Sequence, residues 1–198
     1  RLLATVTSLV AQTKASARIA VPVTAPSAVE SVVQARGGSV IRTKTDPRYM
    51  MTLASIPNEK IAFAGDMQGG FIFPEFHPAF DGPFALAKIL EMLSWLQKPL
   101  HEVVAELPSI YMAQHEVPCP WQRKGAVMRA LTVEAQESDQ NVELIDGVRL
   151  IKSANEWVLA LPDAAEPIFR VRAEGATLAD AHDRAEEWAA KIRTLSAE

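Results

Sequence analysis

The change of pattern at Leu107-Pro108 constrains this chain more than any other feature. Before it, strand and helix candidates alternate; after a proline-containing stretch, strand candidates follow one another with no helix between them. A chain that changes its hydrophobic period in this way builds two units around two cores. The first half opens on an apolar helical rhythm of Leu2, Leu3, Val6, Leu9 and Val10, followed by the β-branched run Arg18 to Val23. A helix carrying Val29, Val32 and Val33 stops at Gly37-Gly38, and Ser39 to Thr43 is the next strand. Asp46-Pro47 offers an N-cap with proline at the first helical position, opening a short helix over Tyr49 to Ser55. Lys60 to Phe63 and Phe71 to Phe73 are brief strands around a Gly-rich turn. Asp81-Gly82-Pro83 introduces a helix with a broad apolar face: Phe84, Leu86, Ile89, Leu90, Leu93 and Leu96. Pro99 ends it, and a short helix over His101 to Glu106 follows. Residues 1–108 are therefore expected to form a three-layer α/β domain, a mixed sheet with helices on both faces.

Residues 109–123 hold two prolines and are expected to be a linker or connecting strand. Lys124 to Gln136 has a helical pattern, and Val142 to Ile145, Val148 to Ser153 and Trp157 to Leu161 are closely spaced strands. Asp146-Gly147 predicts a tight hairpin turn between the first two. Ile168 to Glu174 is a fourth strand, and Thr177 with Asp180 three residues on forms an imperfect capping box for a last helix. Residues 124–198 thus predict a small α+β domain with an antiparallel four-stranded sheet and two helices.

Composition narrows the function classes. Against 24 Asp and Glu stand 20 Lys and Arg, a net charge of −4, so no basic nucleic-acid footprint is present. No run reaches the roughly 18 apolar residues of a membrane span, and Arg1-Leu-Leu-Ala-Thr has no signal-peptide pattern. The opening, mid-pattern and without an initiator Met, suggests a piece of something longer or a processed product. Cys119 has no cysteine to pair with inside the chain, which points to a reducing, cytoplasmic compartment.

Several residues invite a chemical reading that a simpler one outweighs. His115 and Cys119 are four apart, yet no second ligand pair accompanies them, so no metal site is expected. Glu75 and Asp81 could pair as acid and base, but Asp81 is better placed to cap the helix at Pro83. Gly65, Gly69 and Gly70 lack dinucleotide-loop spacing and shape a loop instead. His77 is expected to bond a backbone carbonyl. Trp157 and Trp188 are expected in the second core, and Asp183, Glu186 and Glu187 on a solvated helix face.

The words along the chain carry a resemblance. IRTKTDPRYM at 41–50, GDMQGGFIFPEF at 65–76, DGPFALAKILEML at 81–93, LPSIY at 107–111, DGVRL at 146–150 and EPIFRVRAEG at 166–175 together resemble the third and fourth domains of the α-D-phosphohexomutases. This is the phosphomannomutase/phosphoglucomutase superfamily. The resemblance implies reversible phosphoryl transfer between the 1- and 6-positions of a hexose, through a phosphoserine and a bound Mg²⁺. The first two family domains supply both, and nothing in these residues resembles their serine or metal loop. The chain is accordingly expected to hold no catalytic residue and no cofactor, with Mg²⁺ entering only through N-terminal domains of a parent protein. Those domains and a hexose phosphate are the implied partners, with no nucleic acid or membrane, and homo-oligomerisation is left open.

In the family, a third-domain sugar loop reads Gly-Glu-x-Ser-Gly-His; here it is Gly65-Asp66-Met67-Gln68-Gly69-Gly70. An earlier third-domain loop, usually Gly with a polar residue, is Thr45-Asp46-Pro47. The fourth-domain phosphate loop, Arg-Pro-Ser-x-Thr-Glu-Pro in the family, stands here as Leu161-Pro162-Asp163-Ala164-Ala165-Glu166-Pro167. The frame survives while the arginine and both hydroxyls are replaced. The resemblance therefore places substrate contacts at Asp66, Gln68 and Gly69 and, through backbone N–H groups, at Asp163, Ala164 and Ala165. Lys124, Arg123, Arg170 and Arg172 are candidate replacement cations. Two functions follow: the sugar-phosphate-binding half of a phosphomannomutase/phosphoglucomutase-like protein, or a non-catalytic mutase module of a bifunctional sugar nucleotidyltransferase such as mannose-1-phosphate guanylyltransferase.

Overall fold

After Arg18, strand β1 (Arg18–Pro22) offers no polar side chain: Ile19, Ala20 and Val21 are all fully buried, so both of its faces must be covered. The computed structural model describes residues 1–138 and 141–197 and divides the chain into two units, Arg1–Ile110 and Tyr111–Glu198. In the first, β1 lies between β2 (Ser39–Thr43) and β3 (Ile61–Gly65), parallel to each, and β4 (Phe71–Ile72) adds antiparallel to β3. The sheet is mixed, as expected. Ile19, Val21 and Phe63 point to a core shared with α1 (Leu2–Thr13), α2 (Ala28–Gln34), α4 (Gly82–Leu96) and α5 (Leu100–Ala105). Ala20, Ala64 and Ile72 point the other way, against Met50 and Ala54 of α3 (Pro47–Ala54). Alternation along β1 therefore sets the three layers.

Helix starts follow the capping chemistry. Asp46 Oδ1 accepts the Arg48 N–H at 2.9 Å with Pro47 in the first turn, and Asp81 Oδ1 accepts the Phe84 N–H at 2.7 Å. Asp81 is thus a helix cap rather than half of a carboxylate pair. Glu75 is separately engaged by Lys88 and Lys14.

The second unit corrects two expectations. Of the two readings of residues 109–123, the strand holds and the linker does not: Met112–Pro118 is β5, and Trp121–Glu137 is helix α6. Its sheet consequently has five strands, ordered β5-β9-β8-β7-β6 and antiparallel throughout, with β6 (Asn141–Glu143), β7 (Val148–Ser153), β8 (Glu156–Pro162) and β9 (Ile168–Glu174). The proline is tolerated because β5 is an edge and Pro118 is its last residue. Only Ala113 and Val117 of β5 enter the core, which hid the strand among polar residues. The first hairpin is also longer than a two-residue turn. Glu143 pairs with Arg149, leaving five residues, 144–148, between the paired positions. Gly147 takes φ +82°, and a Cβ there would lie 2.2 Å from the Ala160 carbonyl oxygen.

Val127, Leu131 and Ala135 of α6 and Ala181, Ala185, Trp188 and Ile192 of α7 (Leu178–Ala197) close one face of this sheet. The Thr177–Asp180 box forms in both directions: Thr177 N–H donates to Asp180 Oδ2 at 3.0 Å and Asp180 N–H to Thr177 Oγ1 at 3.1 Å. Trp188 joins the helical core as expected. Trp157 is fully buried but alternates with Val158, so it lies on the opposite face. There the Arg149 guanidinium stands 4.5 Å from its ring centre, and its Nε1–H donates to Glu174.

Phe63 is fully buried, with Phe71 and Phe73 at ring separations of 5.6 and 5.2 Å. Phe63→Ala is expected to cost about 3–5 kcal/mol, measured as a fall in the urea midpoint of the first unit. The exposed Phe76, stacked on Phe84, should lose at most about 1.5 kcal/mol on the same substitution. Equal losses would contradict this core assignment.

Candidate functional site

Two hairpin loops carry every residue assigned to substrate contact, one in each unit. The β3–β4 loop is closed by pairing of Gly65 with Phe71 and by the Asp66 N–H, which donates to the Gly70 carbonyl at 3.0 Å. The Asp66 side chain turns inward. Its Oδ1 accepts the N–H groups of Gln68 at 2.8 Å and Gly70 at 2.7 Å, the reach of a carboxylate one methylene shorter than glutamate. Gln68 is exposed, and Gly69 takes φ +93°. A Cβ on Gly70 would lie 2.7 Å from the Phe80 ring and 2.9 Å from Asp66 Oδ2. The histidine of the resembled motif therefore has no room unless Phe80 moves.

The β8–β9 turn repeats this device. Asp163 Oδ1 accepts the N–H groups of Ala165 at 2.8 Å and Glu166 at 2.9 Å, and its Oδ2 accepts from Arg170 Nε at 2.7 Å. The Arg170 Nη atoms are bound by Glu116 and by Glu166, the latter at 3.1 Å. Ala164 and Ala165 are exposed at the tip. Beneath it Lys124, though charged, is buried; its ammonium donates to the carbonyls of Asp163 and Glu166 and stands 3.9 Å from the centre of the Trp121 ring.

The candidate cations thus divide. Arg170 is held by three carboxylates, Lys124 is a brace, and Arg123 donates to the Leu195 carbonyl at 3.0 Å. Arg172 lies on the same face of β9 as Arg170, between Gln114 and Leu159, and burial together with the Arg170 charge lowers its pKa. His115 approaches Glu186 at 3.6 Å and Cys119 is buried. Among the described residues, no three His, Cys, Asp or Glu side chains form a metal-holding group, and no helix is long and apolar enough to cross a membrane.

Residues 1–111 match the family model described as phosphoglucomutase/phosphomannomutase, alpha/beta/alpha domain III. The chain belongs to this family. The match ends where the first unit does. Across both units the chain is 33% identical over 186 residues to a probable phosphoglucosamine mutase of Methanopyrus kandleri, covering 94% of this chain and 40% of that protein. A probable phosphoglucosamine mutase of Pyrococcus furiosus is 32% identical over 180 residues, 90% of this chain and 38% of that one. The chain therefore spans about 40% of the length of the relatives it matches. In fold it is similar to a phosphoglucomutase/phosphomannomutase family protein of Burkholderia thailandensis, with a TM-score of 0.74 at 21% identity, covering 96% of this chain and 41% of that one.

The family match over residues 1–111 takes in the β3–β4 loop, and the β8–β9 turn lies outside it. The match leaves their bonding to this chain's own residues. Sequence reasoning missed the Asp163–Arg170 pair and the Lys124 brace. Arg170 faces the same way as Arg172 by strand alternation, a signal available in the sequence, whereas Lys124 meets the turn only through the fold.

The Arg170 guanidinium, foremost, and the N–H groups of Ala165 and Glu166 pull the Asp163 carboxyl from 3.8 down to about 2. A folded-state pKa below the ordinary value means that the ionised group's stabilisation is complete above about 4 and drains away as pH falls through about 2. Asp163→Asn should therefore lower the thermal midpoint at pH 7, with the gap to wild type closing as pH approaches 2. Paired melts across that range check it; a gap independent of pH would refute it.

Proposed function

We propose that this chain is the hexose-phosphate-facing C-terminal half of a phosphohexomutase. In the whole protein it would orient the sugar while domains outside these residues supply the phosphoserine and Mg²⁺. The observation that carries this reading is the β3–β4 loop. Asp66 folds it through Oδ1, so that Oδ2 is left to accept from a ring hydroxyl beside the exposed Gln68 amide. A carboxylate and an amide at this spacing offer one acceptor and one donor–acceptor pair, the chemistry that tells hydroxyl orientations apart. The relatives' names make a glucosamine phosphate the first ligand to test.

Titration of the chain with glucosamine 1-phosphate, glucose 1-phosphate and mannose 1-phosphate at low salt, followed by NMR, should give saturable shifts at the Asp66 and Gln68 amides. Asp66→Ala should weaken the binding tenfold or more, the value of a charged hydrogen bond of about 1.5–3 kcal/mol. Silence to millimolar ligand would favour a second reading.

That second reading is a non-catalytic module kept for architecture, oligomerisation or sensing, for example beside a sugar nucleotidyltransferase such as mannose-1-phosphate guanylyltransferase. Its support is that both loop aspartates are turned onto their own backbones. Mutase activity in the full protein, with a serine loop and an aspartate-rich metal loop, would decide for the first.

A further inference from the structure

Three donors converge on one side chain at the β8–β9 turn: the N–H groups of Ala165 and Glu166, at 2.8 and 2.9 Å, and Arg170 Nε, at 2.7 Å. Two consecutive backbone N–H groups and a guanidinium form a donor set suited to a phosphate or sulfate oxygen. Here all three are spent on the Asp163 carboxylate. We infer that Asp163 is the resident anion of this turn, a tethered carboxylate that fills the place of an oxyanion and keeps inorganic phosphate and phosphate esters out.

Three arguments support it. A carboxylate on the turn itself acts at the effective concentration of an intramolecular ligand, on the order of millimolar or above, so a weakly bound phosphate cannot displace it. The surrounding charge also opposes a second anion: Arg170 is already bound by Asp163, Glu116 and Glu166, three carboxylates against one guanidinium. Finally, the nearby ammonium of Lys124 is buried and committed to the carbonyls of Asp163 and Glu166. It holds the turn from beneath and offers nothing to a ligand above it.

The donors themselves are intact, so the turn is a phosphate cradle closed by one residue. Removing that carboxylate without filling its space should reopen it. The inference deepens the proposed function and rests on it in one respect, that in the whole protein this turn is a loop that meets the phosphate side of the ligand. The two tests are separable, because this one is read at Ala165 and Glu166 and the sugar test at Asp66 and Gln68.

The experiment is an NMR titration of the whole chain with inorganic phosphate to about 10 mM, at ionic strength matched with chloride. Wild type, Asp163→Ser and Asp163→Gly are compared. The wild-type Ala165 and Glu166 amides should not move, while in either variant they should shift saturably, with an affinity at least tenfold above any wild-type response. Glu116→Gln added to Asp163→Ser should tighten it further. Saturable wild-type shifts at these two amides would overturn the inference whether or not a variant folds. So would a folded variant that stays silent.

Discussion

The first unit depends on the pairing of β1 on both edges by parallel neighbours, because this makes it a central strand whose Ile19, Ala20 and Val21 must be buried on both faces. Ile19 and Val21 must be covered on one face and Ala20 on the other, which requires helices in two layers. The small residues of β1 and β3 on the second face suit the single short helix α3 there, while the larger ones suit the four helices opposite. Once the layers exist, β3 must end near Gly65, and the β3–β4 loop is presented at that sheet end. The second unit obeys the same logic through β9, paired on both edges by β5 and β8. Its alternation sends Phe169, Val171 and Ala173 to the helices and Arg170 and Arg172 to the other face.

The β3–β4 and β8–β9 loops share a mechanism that neither motif announces. An aspartate stands where the resembled motifs have a glutamate or a serine, and in each loop its Oδ1 takes two backbone N–H groups. A buried or crowded amide left unpaired is costly, whereas an ionised acceptor makes a stronger bond than a neutral one. Both loops therefore gain order from the aspartate that departs from the resembled motif. Arg170 and Lys124 add to this at the second loop. One lies across the carboxylate and the other lies beneath the carbonyls.

Much of the fold was legible in the amino-acid order. Capping by Asp46, Asp81 and the Thr177–Asp180 pair followed from residue type and spacing, because these bonds join residues two or three apart. Strand β5 was legible only as one of two readings, and its place in the sheet was not: the polar residues of an edge strand need no apolar alternation beyond Ala113 and Val117. Trp157 was legible as buried, yet its face was misread, since a tryptophan can be enclosed by a guanidinium and a carboxylate as well as by aliphatic groups. The loop of Asp146-Gly147 was found but made too short, because its register is set by Glu143 pairing with Arg149.

The sequence by itself determined the two-unit organisation, the layer type of each, the family, and the positions at which the β3–β4 and β8–β9 loops depart from the resembled motifs. These rest on periodicity and local bonding, which act over a few residues. Only the tertiary structure decided what those substitutions do. Whether Asp163 repels a ligand or replaces it depends on Arg170 seven residues away, on Glu116 across the strand pair, and on Lys124 from another element. Their approach is set by strand register and helix packing, and no local rule places a charge at a bonding distance from a partner so far along the chain.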